Sequence, residues 1–288
     1  MRLLDFAGVQ LARLRQRVEQ EAARCAADPA ADPVHDLRVA IRRFREALHR
    51  FEDVLGRKSR EKADRRVKKI LDLAGAVRDC DIAAELLEHS RRLERVAVLA
   101  DLARERDHRA ARLRRAAARW LERTAAGDWQ ERLVPRDGEE TAAAAAAALL
   151  PGLCAKFFAR GAAAARPGTS VEDLHRFRLS AKRFRYTLEL YAPLYGRRAD
   201  RHLKHMRKVQ SHLGDINDCA ATRVLLEDWR APAALAAEIA RLEARRITAF
   251  RRAWRAFASK ETAAAWQADL ARPSRRAPFP APPNAPPA

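Results

Sequence analysis

The chain has 288 residues, 48% of them hydrophobic, enough to bury a sizeable core in one large domain or two ordinary ones. Its formal net charge of +20 comes from 58 Lys and Arg, 49 of them Arg, against 38 acids. Self-repulsion on that scale calls for charges that are spread out or for an anionic partner, and four scattered cysteines without a C-x-x-C exclude a disulfide framework or zinc ribbon.

The N-terminus, MRLLDFAGVQLARLRQRVEQEAA, patterns as an amphipathic helix and lacks the apolar run and cleavage site of a signal peptide. No window approaches 18 apolar residues free of charge, so no membrane span is expected. The chain reads as soluble and cytoplasmic. Period-3.6 patterning continues almost throughout, and no segment shows the alternation of a half-buried strand. The expectation is an all-α protein of eight to ten helices, with Gly and Pro marking the joints.

The next segment, VHDLRVAIRRFREALHRF (34–51), places His35, Arg38, Arg42, Arg45 and His49 on one narrow helical stripe, with Arg43 alongside. Leu37, Ile41, Phe44, Leu48 and Phe51 form an apolar stripe about a third of a turn away, so the helix packs through one face and presents cations beside it. Further on, Lys58, Lys62, Arg65 and Lys69 share a face by their spacing. KKILDLAGAVRDCDIAAELL follows from Lys68, and then comes a joint containing Gly127, Pro135 and Gly138. The run TAAAAAAALL (141–150) has the best helix former at most positions and reads as a close-packed helix.

The second half repeats the first. LHRFRLSAKRFRYTLELY (174–191) matches the 34–51 segment at an offset of 140, pairing His175 with His35, Arg178 with Arg38, Lys182 with Arg42, Arg183 with Arg43 and Arg185 with Arg45. Arg201, Lys204 and Lys208 continue the basic face, and RKVQSHLGDINDCAATRVLL from Arg207 matches the Lys68 segment at an offset of 139. One domain over 1–270 follows, with repeat 1 at about 1–125 and repeat 2 at about 139–270. The Pro-rich stretch 271–288 cannot pack a core and reads as a disordered tail.

Like charges three and four apart on a helix repel by a few tenths of a kcal/mol per pair. A solvated helix face normally alternates acids with bases, yet both stripes, 35–45 and 175–185, contain no acid. The gain that offsets this is a bound polyanion. The chain has two Asn and six Gln, none in the stripes, so base-edge readers are missing there. Phe44, Phe51, Phe184 and Tyr191 sit at core angles, and Tyr186 alone lies near the basic side. Cations without base readers suit a phosphate chain without bases.

The doubled block HDLRVAIRRFR and HRFRLSAKRFR, with LGDIND (213–218) and the looser AGAVRD (74–79) downstream, resembles the CHAD family, the conserved histidine α-helical domain. The resemblance implies two pseudo-symmetric antiparallel helical bundles with a basic groove or pore between them that binds inorganic polyphosphate. Some members associate with polyphosphate granules. Carried over to this chain, it implies a stand-alone, non-catalytic module without cofactor or metal. The implied contacts are His35, Arg38, Arg42, Arg43, Arg45, Lys62, Arg65, Lys69, His175, Arg178, Lys182, Arg183, Arg185, Arg201, Lys204 and Lys208.

Rival chemistries are weaker. His35-Asp36 spells the HD dipeptide of metal-dependent phosphohydrolases, but the second copy reads His175-Arg176, and Asp36 fits a first-turn acid. Asp79 and Asp218 follow Gly and read as helix caps rather than Mg²⁺ ligands, with Cys80 and Cys219 small and buried. His202-x-x-His205 has metal spacing but lies among cations. His35 and His175 are either neutral core donors or phosphate contacts. Nonspecific nucleic-acid binding and phosphohydrolysis of polyphosphate or nucleotides stand as alternatives.

Overall fold

The computed structural model describes residues 1–125 and 140–274. The joint at Gly127, Pro135 and Gly138 and most of the Pro-rich tail lie outside them. The described residues form ten α-helices and one 3₁₀ turn, with no strand among them. The helices are α1 (Leu3–Ala27), α2 (Ala31–Arg50), α3 (Glu52–Leu55), α4 (Arg57–Glu88) and α5 (Arg95–Ala125) in the first half. The second half contains α6 (Ala142–Ala164), α7 (Val171–Tyr191), α8 (Arg197–Asp228), α9 (Ala233–Phe257) and α10 (Lys260–Leu270). Thr141, Ser170 and Ser259 cap α6, α7 and α10 with their side-chain oxygens.

Equivalent helices pack equivalently. In the first half α1 lies on α2, α2 on α4 and α4 on α5; in the second α6 lies on α7, α7 on α8 and α8 on α9. The halves meet through like partners, α2 against α7 and α4 against α8. A small core at that junction pairs Cys80 with Cys219 and Leu87 with Leu226, residues 139 apart in sequence. Matching pegs hold the outer helices. Arg109 Nη1 on α5 donates to the Ala76 carbonyl at 2.9 Å, and Arg246 Nη1 on α9 donates to the Asp215 carbonyl at 2.8 Å.

Three local expectations need correction. Gly75 and Gly214 do not end helices: α4 and α8 run through them for 32 residues each. A helical Gly costs about 1 kcal/mol relative to Ala, and the buried stripe Val67, Ile70, Ala74, Val77 and Cys80 carries α4 across it. Asp79 and Asp218 are therefore mid-helix residues, not caps. Asp36 is a turn too late to be a first-turn acid, because α2 begins at Ala31; it pairs with Arg24 of α1 at 2.9 Å. The start of the tail is tied down, since the Ser274 N–H donates to the Leu194 carbonyl at 2.7 Å and Arg198 reaches its hydroxyl.

Helix α6 is long and apolar enough to cross a membrane by length and composition, with a mean hydropathy of 1.7. Here Ala146, Leu150, Cys154, Phe157 and Gly161 bury one side of it in the protein core. Gly161 is required there. A Cβ at that position would lie 2.0 Å from the Trp254 ring, within a cluster that includes Phe157, Phe158 and Trp266. Gly152, on the same helix, has open space where its Cβ would go. Gly161→Ala should therefore lower stability by roughly 1–3 kcal/mol, the cost of overpacking. Gly152→Ala should leave stability unchanged or raise it by up to about 1 kcal/mol. Paired denaturant titrations check the contrast, and equal effects would contradict this packing.

Candidate basic cavity

Helices α2, α4, α7 and α8 enclose a cavity of about 440 Å³ at the junction of the halves. The apolar stripe of α2 (Leu37, Ile41, Phe44) is buried, which turns Arg38 and Arg42 into the cavity. On α7, burial of Leu174, Phe177, Ala181 and Phe184 does the same for Arg178 and Lys182. Arg78 of α4 and Arg207 of α8 add to the wall, together with Gln210, Ser211 and Asn217. Asp79 and Asp218 are the carboxylates lining it. Cations outnumber anions by a wide margin even before His35 is counted.

The cations fall into two groups. Arg43 Nε and Arg185 Nη1 both reach Glu189, at 2.8 and 3.0 Å, so one carboxylate ties α2 to α7 across the halves. Arg185 also lies over the Tyr186 ring at 4.7 Å, which keeps that buried aromatic from stacking on a ligand. Arg38, Arg42, Arg178 and Lys182, by contrast, have no ion pair with a described residue. Arg178 Nε is buried without a hydrogen-bond partner. Arg38 lies so close along α4 that a Cβ on Gly75 would meet its Nη1 at 2.6 Å. That glycine is the space into which the guanidinium fits.

Burial and mutual repulsion act on these groups together. Burial, then Arg42, pushes Arg38 down to about 10 despite the pull of Asp79, so it remains charged at neutral pH. Arg178 is lowered by burial, with Asp218 opposing. The Lys182 ammonium responds most. Burial first, then Arg178, Arg42 and Arg38, lowers it to about 6, with Asp218 opposing. It is neutral above that pH. Burial also raises the Asp79 carboxyl against the pull of Arg38 and Arg109.

The two histidines differ. Neither is a core residue, so the neutral-core reading falls. His35 lines the cavity, and its protonation is disfavoured by partial desolvation of the imidazole and then by Arg78. His175 sits outside the cavity and donates from Nδ1 to Asn217 Oδ1 at 2.8 Å. Arg78 and Asn217 are equivalent residues, which explains why the two copies differ here.

Several basic residues named from the sequence lie elsewhere. Arg45 holds Asp64 through two hydrogen bonds of 2.6 and 3.1 Å. Arg183 faces a separate hollow with Arg160 and Arg176. Lys62, Arg65, Lys69, Arg201, Lys204 and Lys208 are exposed and line no part of the cavity; Lys208 borders an aromatic hollow with Trp254 and Trp266. Arg78 and Arg207 were missed as site residues. His202 is turned to Asp269 at 3.1 Å and packs on Trp266 at 4.3 Å. Among the described residues no group of three or more His, Cys, Asp or Glu could hold a metal.

The depressed Lys182 has a consequence for stability. An unfolded Lys titrates near 10.4, so between about pH 6 and 10 the unfolded chain binds a proton that the folded chain does not. Stability from this group therefore rises with pH through that window and is flat below it. Lys182→Met removes the slope. The variant should be more stable than the parent at pH 6.5, and its advantage should shrink towards pH 9.5. Urea titrations at the two pH values measure this, and an advantage independent of pH would show that the amine is not held neutral by its surroundings.

The fold has solved counterparts. The crystal structure of the CHAD domain from the plant Ricinus communis superposes with a TM-score of 0.66, covering 97% of this chain and 94% of that one at 20% identity. PptA from Streptomyces chartreusis gives a TM-score of 0.61, covering 89% of this chain and 99% of that one at 16% identity. At such identities the likeness speaks for the fold. No curated protein sequence matches the chain. The CHAD domain family model matches residues 9–227, most of the chain, and with the helical architecture and the paired His-Arg helices this establishes that the chain belongs to the CHAD family.

Proposed function

We propose that the chain is a non-catalytic module that binds inorganic polyphosphate in the α2–α4–α7–α8 cavity. The observation that carries this is the convergence of Arg38, Arg42, Arg178 and Lys182, two from each half, on one cavity without ion-pair partners. Forked guanidinium donors match phosphate oxygens, and the orphaned Arg178 Nε is a donor awaiting an acceptor. The polyphosphate ligand of the CHAD resemblance supports the choice of anion. The exposed Lys62, Arg65, Lys69, Arg201, Lys204 and Lys208 would attract the parts of a long chain that extend beyond the cavity. Association with cytoplasmic polyphosphate granules belongs to the same reading.

Replacing Arg38, Arg42, Arg178 and Lys182 together by Gln should weaken long-chain polyphosphate binding by at least about a hundredfold. Two lost charge-assisted hydrogen bonds at ~1.5 kcal/mol each already amount to that. Replacing Arg112, Arg115, Arg119 and Arg123 of α5 by Gln removes the same number of basic side chains from an exposed surface and should change affinity only several-fold. Titration at two salt concentrations, with helicity monitored, measures both, and equal losses would reduce the cavity to a general cation patch. Displacement of bound polyphosphate by RNA at an equal phosphate concentration would favour nonspecific nucleic-acid binding. Phosphate release with Mg²⁺ or Mn²⁺ that requires His35 would overturn the non-catalytic reading.

Binding should also take up protons. A phosphate chain beside Lys182 and His35 offsets the repulsion from Arg178, Arg42, Arg38 and Arg78, and so raises both groups above their ligand-free values. Affinity should therefore increase as pH falls from 8 to 6.5. Calorimetry in buffers of different ionisation heat should show proton uptake near pH 7.5. Lys182→Arg, which is already charged, should lose most of that uptake while still binding, and an unchanged uptake would assign the protons elsewhere.

A further inference from the structure

We propose that Lys182 is a covalent modification site, acylated at Nζ by acyl phosphates that the surrounding guanidinium groups bind. This rests on the reading of the cavity as a phosphate site and adds to it a reaction and a class of reagent.

The geometry sets Lys182 apart from the exposed lysines Lys62, Lys69 and Lys208. It stands at the middle of α7 within a wall of the cavity, opposite Arg38 and Arg42 of α2 and one turn from Arg178. From α8, Arg207 and Asp218 also face the cavity. No ion pair or hydrogen bond to a described residue occupies its nitrogen, so the lone pair is free once the proton has left. Burial and the three guanidinium groups favour that loss, bringing the group to about 6. At neutral pH an exposed lysine is almost wholly ammonium and unreactive.

The same guanidinium groups select the reagent. An acyl phosphate carries a dianionic phosphoryl head for Arg38, Arg42 and Arg178 and an activated acyl carbon one atom away. The amine attacks that carbon and a C–N bond forms. The C–O bond to the phosphoryl group breaks, and phosphate leaves with the electron pair. The proton released by nitrogen goes to the phosphate, so the products are the amide and hydrogen phosphate, and no further reactant is needed. The neutral amide removes the cation that a polyphosphate would otherwise recharge. Acylation would thus weaken ligand binding, and bound ligand would block acylation.

Incubation of the intact chain with acetyl phosphate at pH 7.5, followed by peptide mass spectrometry, tests this. Lys182 should acetylate at least about tenfold faster than Lys62, Lys69 or Lys208, and saturating long-chain polyphosphate should slow Lys182 alone. Arg178→Gln should slow it too, while leaving the exposed lysines unchanged. A neutral acyl ester provides the control, since it reads the amine without the phosphate grip; Lys182 should prefer acetyl phosphate over that ester relative to the exposed lysines. If Lys182 reacts no faster than exposed lysines while the same preparation binds polyphosphate, the modification is refuted and the binding reading stands. If Lys182 reacts rapidly with the neutral ester but shows no preference for acetyl phosphate, and polyphosphate does not bind, both are refuted.

Discussion

The structure is organised around a repulsion. Arg38, Arg42, Arg178 and Lys182 face one cavity, largely removed from bulk water and unpaired, an arrangement in which like charges cost more than they would on a surface. Two unit charges about 4 Å apart at an effective dielectric of ~20 interact by about 4 kcal/mol. A loose fold would relieve this by letting the side chains swing outward. Here the apolar stripes of α2 and α7 are fully committed to the core, and the aromatic cluster around Trp254 fixes α6, α7 and α9 against one another. The long helices α4 and α8 are pegged through their own carbonyls by Arg109 and Arg246. What holds the cations in place is thus mostly packing remote from them.

The matching order of helix contacts in the two halves accounts for both the likenesses and the departures. Duplicating one helical unit brings like helices together, so a stripe of cations on one helix faces a second stripe on its twin. Single positions then diverge. Lys182 stands where the first half has Arg42, and Asn217 where it has Arg78. The second change converts repulsion of His35 into a hydrogen bond accepted from His175, and places the two histidines in different surroundings. Matched helices can thus face one another across the junction without being identical at every position.

Much of this was legible in the sequence because helical periodicity reports which face packs. The buried Phe44, Phe184 and Tyr191, the Tyr186 position beside the basic side and the free buried cysteines all follow from residue type and angle. Two things were not legible. Periodicity relates residues on one helix and says nothing about the rotation of that helix against its neighbours, which is why the spacing of Lys62, Arg65 and Lys69 on α4, and of Arg201, Lys204 and Lys208 on α8, does not reveal that they lie outside the cavity lining. A glycine in a helical pattern reads equally as an end or as a gap for a neighbour. Only the Arg38 side chain lying on Gly75 decides between them.

The residue at position 182 bears on the charge balance within the cavity. A guanidinium at that position would stay charged at any physiological pH, and it would add a further fixed cation to the arginines that line the cavity, with Asp79 and Asp218 as the facing carboxylates. Lysine is the basic residue that can give up its proton when burial and neighbouring cations demand it. One lysine among arginines therefore lowers the repulsion within the cavity, and Lys182→Arg, a substitution conservative in size and sign, would restore it.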